Sequence, residues 1–228
     1  MSNRDFAREL YPFLYAPATG AEGGTAALLA SVRESTLAKC AEVVALRTEL
    51  LAEYEDRIGE AAEAMAARFS AGATLFAFGN GGSATDADDA AIDCLSPPHD
   101  AWRSLPAVSL SADSATVTAL TNDVGAEAVF ARQLGALGRR GDIALGFSTS
   151  GNSANVVAAF VAAKKRGVLT VALVGYGGGA IASGGSVDYC FIARREFVPR
   201  IQEGHATLWH ALLSLVHGSL RTRTGGPS

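Results

Sequence analysis

The chain has 228 residues, enough for one large domain with a real hydrophobic core, and 49% of them are apolar, which excludes a disordered chain. The formal net charge is −4 and no long basic run occurs, so nothing points to a nucleic-acid backbone as partner. Cys40, Cys94 and Cys190 are widely spaced with no CxxC or zinc-knuckle pattern, as expected for reduced thiols in a cytoplasmic protein.

In chain order, residues 1–24 form a short amphipathic piece (Phe6, Leu10, Phe13, Leu14) that ends in the loop PATGAEGG. Its charges interrupt every apolar run, so no secretory signal is expected, and no run further along is long enough to span a membrane. Residues 25–71 are alanine-rich and free of proline. Leu28, Leu29 and Val32, then Val43, Val44, Leu46, Leu50, Leu51 and Tyr54, recur at helical spacing. The stretch is too long for one typical globular helix, which leaves two helices with a break or one that projects. A projecting apolar stripe needs a partner and favours a homo-oligomer.

From residue 72 short apolar runs alternate with helical segments. Strands are expected at Thr74–Phe78, Ala107–Leu110, Ile143–Phe147, Leu169–Val174 and Tyr189–Ile192, and helices near 84–94, 114–121, 125–137, 153–166 and 200–221. Near-continuous apolar strands between helices predict an α/β fold with a five-stranded parallel sheet covered on both faces. Lys164, Lys165 and Arg166, ahead of Gly167, suit the last turn of a helix. The expected organisation is an N-terminal helical region, 1–71, and a second domain, 72–228.

Two strand-to-helix junctions carry the chemistry. Gly79-Asn80-Gly81-Gly82-Ser83 and Ser148-Thr149-Ser150-Gly151-Asn152-Ser153 each follow a buried strand and precede a helix. Glycines admit close backbone approach, and a helix N-terminus offers free N–H groups and partial positive charge. With the hydroxyls they describe a site for a phosphate ester without lysine. Two rival readings stay open. The loops suit ordinary capped turns. The run Gly79-x-Gly81-x-x-Ala84 also matches a dinucleotide fingerprint, with Asp113 as the ribose-binding acid, although Asp113 lies beyond the usual spacing of about 20 residues. No GK[ST] follows either cluster, which excludes a P-loop.

On the helix after Ser83, Asp86, Asp89 and Asp93 share one face. The helix dipole accounts for Asp86 and Asp88 near the helix start. Asp93 is too far along for that and sits among Ala91, Ile92, Cys94 and Leu95, where a buried carboxylate suits proton transfer. Three of the four histidines, His205, His210 and His217, fall on the last helix, while His99 stands apart. Gln202 and His210 sit two turns apart there. Gly204 inside that helix suggests close packing or ligand approach.

GNGGSATDAD, LTND at 120–123, STSGNSANV at 148–156 and RIQEGHATLWH at 200–210 together resemble the sugar isomerase (SIS) domain, and more narrowly the phosphoheptose isomerases. The resemblance runs from about residue 30 to 220. It implies a three-layer α/β/α sandwich, a cytoplasmic homotetramer and isomerisation of sedoheptulose 7-phosphate to an aldoheptose 7-phosphate, with no nucleotide cofactor, nucleic acid or membrane partner. By position it assigns the phosphate to Ser148, Thr149, Ser150 and Ser153, and the sugar to Asn80, Gly81, Gly82, Ser83, Asn122, Asp123 and Gln202. Proton transfer falls to Asp93 and His210. A divalent metal, zinc in many members, would take Asp89, Asp93, Gln202 and His210. The chain departs from the family at this centre: Asp89 stands for a histidine, Asp93 for a glutamate, and Pro199 for an acid three residues before Gln202. An Asp/Asp/Gln/His set is harder than a typical zinc site. The second reading the resemblance leaves is a non-catalytic binding protein, since some SIS relatives associate with the bacterial replication initiator.

Overall fold

The computed structural model describes residues 21–223, with side chains from Gly24 onward. The expectation for residues 1–20 lies outside the described residues. The chain divides into two compact units, 1–44 and 45–228. Of the first unit, residues 21–44 are described and form the beginning of helix α1.

Helix α1 runs unbroken from Ala21 to Ser70, so of the two alternatives the single helix holds. Alanine, glutamate, leucine and arginine, all strong helix formers, fill it, and Gly59 alone does not stop it. The rest of the second unit is a parallel sheet with its crossover helices. In order these are β1 (Leu75–Phe78), α2 (Gly82–Leu95), β2 (Ala107–Ser109), α3 (Ser114–Asp123), a 3₁₀ turn, α4 (Val129–Leu137), β3 (Ile143–Ser148), α5 (Ala154–Lys165), β4 (Leu169–Gly175), α6 (Gly179–Ser183), β5 (Tyr189–Ala193) and α7 (Val198–Arg223). Five strands and their positions match expectation. The five-residue α6 was not foreseen.

The strand order is β2-β1-β3-β4-β5, all parallel. Alternating side chains divide the core in two. Leu75 and Ala77 of β1, with Leu145, Val171 and Phe191, pack against Leu50, Ile58 and Met65 of α1, Ala87 and Cys94 of α2, and Ile201, Leu208 and Leu212 of α7. Phe76 and Phe78 face the other way, toward Phe130 of α4, Phe160 of α5 and Ile181 of α6. Phe78 is fully buried, with ring centroids 5.5 Å from Phe130 and 5.3 Å from Phe160. Its burial contributes about 1.5–3 kcal/mol.

This order positions the site. After β1 the chain crosses outward to β2, and after β3 it crosses the opposite way to β4. The crevice between the carboxyl ends of β1 and β3 is therefore the switch point where open α/β sheets take their ligands. The two glycine- and serine-bearing loops leave those two strand ends.

Candidate active site

The first loop joins β1 to α2, and the second joins β3 to α5. Asn80 and Asn155 exchange amide hydrogen bonds of 2.8 and 2.9 Å, which tie the first loop to the opening turn of α5. In the second loop the Ser148 and Ser153 hydroxyls lie 3.2 Å apart, and the Gly151 N–H donates to Ser148 Oγ at 3.1 Å. Ser153 is the N-cap of α5, yet its side chain makes no capping bond and turns to Ser148 instead. Gly151 has φ +66°, and a Cβ there would stand 2.1 Å from the Gly178 carbonyl, so only glycine fits between the two turns. Asn152 Oδ1 accepts from the Ala180 N–H at 2.9 Å and fixes the far side of the loop to α6.

Helices α2 and α7 pack on the same face of the sheet and share two sets of polar contacts. Gln202 Nε2 sits 3.5 Å from Asp86 Oδ2, and His205 Nδ1 is 3.7 Å from the same oxygen. A Cβ on Gly82 would stand 2.5 Å from Gln202 Nε2, so the third glycine of the first loop makes room for this amide. One turn or two further along, Asp93 Oδ2 accepts a hydrogen bond from Trp209 Nε1 at 2.9 Å and lies 3.6 Å from His210 Nε2. The Asp93 side chain keeps 21% of its exposure and His210 keeps 67%, so the pair opens to solvent and to an incoming ligand.

Several expectations change here. Asp86 and Asp88 lie in the second turn of α2 and have side-chain partners besides the helix dipole. Asp86 faces Gln202 and His205, and Asp88 accepts from the Ser109 hydroxyl at 2.5 Å. Asp93 is half-buried rather than enclosed. Gly204 serves packing and not a ligand, because a Cβ there would meet Ala193 Cβ at 2.9 Å. The motif RIQE divides by role: Arg200 pairs with Glu203 at 2.6 Å, Ile201 is core, and Gln202 alone faces α2. Asp113, the ribose-binding acid of the dinucleotide reading, caps α3. Its carboxylate accepts from the Ala115 and Thr116 N–H groups and from the Thr116 hydroxyl (2.6 Å), whose bond is the leading cause that holds its pKa below the usual carboxylate range. Asn122 donates to its neighbour Asp123 at 2.9 Å, and both are exposed at the end of α3 with no described bond to either loop.

Asn155, Trp209 and His205 went unassigned by sequence reasoning. Nothing local in the sequence marks the Asn80–Asn155 pair, which spans 75 positions. Cys94, beside Asp93, has its thiol pushed up to about 12 by burial and by the Asp93 charge, so it stays protonated and offers no nucleophile.

The four candidate metal ligands do not converge on one ion. They divide into separate contacts: Gln202 turns to Asp86, Asp93 is taken by Trp209 and His210, and Asp89 is exposed. Among the described residues no three His, Cys, Asp or Glu side chains cluster closely enough to hold a metal. The donor chemistry also lacks the nitrogen or sulfur majority of most zinc sites.

The SIS domain family model matches residues 40–175, more than half of the chain. The chain belongs to the SIS-domain family. Within that family its relatives are phosphoheptose isomerases. That of Thermodesulfovibrio yellowstonii is 41% identical over 179 residues, covering 78% of this chain and 88% of its own length. That of Geobacter sulfurreducens is 42% identical over 168 residues, covering 74% and 88%. In three dimensions, phosphoheptose isomerase GmhA from Neisseria gonorrhoeae superposes with a TM-score of 0.75 at 35% identity, covering 82% of this chain and 99% of its own. A phosphoheptose isomerase from Francisella tularensis gives 0.76 at 28% identity, over 82% and 98%. The match thus spans nearly the full length of these two solved relatives.

Proposed function

We propose that the protein is an aldose–ketose isomerase that converts sedoheptulose 7-phosphate to a D-glycero-heptose 7-phosphate through an enediol. The observations that carry this reading are the hydroxyl-lined loop at the end of β3 and the Asp93–His210 pair, 3.6 Å apart across α2 and α7. Phosphoheptose isomerases at 41% and 42% identity support the substrate.

In this reading Ser148, Thr149, Ser150 and Ser153 and the N-terminus of α5 take the phosphate. That remote binding energy positions C1 and C2 of the sugar against α2 and α7. Asn80, Gly81, Gly82 and Ser83 form the floor, Gln202 reaches the sugar oxygens past Gly82, and Asn122 with Asp123 complete the rim. One member of the Asp93–His210 pair removes the C1 proton of the ketose. The other moves a proton between the two oxygens as the enediol forms and collapses, and return of the first proton to C2 gives the aldose. No step is routed through a metal, because among the described residues no three His, Cys, Asp or Glu side chains cluster closely enough to hold one.

The N-terminal helical region, 1–71, is in this reading an oligomerisation element of a cytoplasmic homotetramer. Leu28, Leu29, Val32, Leu37 and Val44 are all more than half exposed along α1 and support it. Among the described residues no helix is long and apolar enough to cross a membrane. The experiment that tests the reading is NMR of sedoheptulose 7-phosphate incubated with the protein in deuterated water, which scores both the aldose and the label.

A further inference from the structure

We infer that Trp209 is a positioning residue: its indole N–H fixes the Asp93 carboxylate against His210. The inference rests on the isomerase reading above and deepens it. Trp209 is 2% exposed, with its ring in the core beside Leu208 and Leu212. A buried indole has one polar atom, a donor, and that donor requires an acceptor. Here the acceptor is Asp93 Oδ2, at 2.9 Å. The same oxygen is the one 3.6 Å from His210 Nε2.

An aspartate is a short side chain, and the place of its carboxylate depends closely on what holds it. Residues 209 and 210 are adjacent on α7 and point about 100° apart. Trp209 meets Oδ2 as a buried donor and His210 as an exposed imidazole. The indole does not give up its proton in the physiological range, so it competes for no step. It occupies one lone pair of Oδ2 and leaves the rest of the carboxylate to His210 and the substrate. The other contact between α2 and α7, Gln202–Asp86–His205, is looser at 3.5 and 3.7 Å. The Trp209–Asp93 bond is therefore the shorter of these two polar contacts between the helices.

Two readouts test this, one of them independent of activity. The chain contains only two tryptophans, Trp102 and Trp209, so a ¹⁵N-labelled sample shows two indole N–H resonances. Asp93→Asn is expected to move one of them and leave the other in place. In the second readout, Trp209→Phe keeps an aromatic ring and removes the donor. Its kcat for sedoheptulose 7-phosphate is expected to fall about tenfold or more, the loss of one hydrogen bond to a charged group, with KM within about twofold. In the Asp93→Asn background the same substitution should cost nothing further, because both changes act through one carboxylate. A packing role alone would lower both backgrounds equally. Additive losses, or an indole resonance unmoved by Asp93→Asn in an active wild type, overturn the inference. A resonance that moves in a wild type with no turnover overturns the isomerase reading, and the catalytic role of Trp209 with it, while the bond stands.

Discussion

Asp93 and His210 meet across two helices, from positions 117 apart in the chain, and everything chemical in the proposal passes through that contact. Asp93→Asn and His210→Gln should each lower kcat/KM by about 10²–10⁴, the usual weight of a general acid or base. Circular dichroism and melting should be little changed, because both side chains reach solvent. Near-wild-type turnover in either variant would remove that residue from the reaction. The sequence made these two residues visible as types at motif positions, but it did not show their partners. Trp209 looks like any core aromatic in a helix until its N–H is seen on Asp93. Asp86 looks like a dipole-serving acid until Gln202 and His205 are seen beside it. Pairings of this kind depend on how two helices dock, and no local spacing encodes them.

At the scale of elements the legible part is the part that periodicity controls. The five strands follow from short apolar runs bounded by glycine and polar residues, and each lies within a residue or so of its expected place. Of the two alternatives for α1 the unbroken helix holds, because alanine-rich sequence without proline gives the backbone no reason to leave the helix. Helix α6, Gly179–Ser183, is too short to display a helical period at all. The lower end of α7 offers a prediction of its own. His217 is buried and stacked on Trp102 at 4.5 Å, and burial, with the Arg103 and Arg221 charges beside it, pushes its pKa down to about 4. The native state holds this imidazole neutral, whereas the unfolded chain protonates it near pH 6.5. Stability from this residue is therefore full above pH 6.5 and is lost as pH falls toward 4, by up to about 3 kcal/mol. His217→Phe, which stacks but does not titrate, should show a shallower loss of melting temperature between pH 7 and pH 4 than the wild type. Equal slopes would contradict the assignment.

At the scale of the molecule the apolar face of α1 is the feature that folding of one chain leaves unexplained. Leu28 and Val32 lie one turn apart, at 62% and 54% exposure. If that face joins copies of the chain, Leu28→Glu with Val32→Glu should reduce the mass measured by light scattering from a multiple of the monomer toward the monomer. An unchanged mass would move the interface elsewhere. The family was legible in the sequence because its loops and RIQE-x-H motif are local and ordered. The departures at Asp89 and Asp93 were legible as letters, but their consequence for a metal required the side-chain directions.

The central claim is that this site isomerises a phosphosugar through an enediol without a metal. The measurement that tests it most directly is NMR of sedoheptulose 7-phosphate with the protein in deuterated water, run after treatment with chelator and again with zinc restored. The account predicts an aldoheptose 7-phosphate carrying deuterium at C2, formed at the same rate in both samples. Turnover that vanishes with chelator and returns with zinc would contradict the metal-free site. The absence of product and of exchange in both samples would contradict the isomerase itself and leave a protein that only binds its ligand.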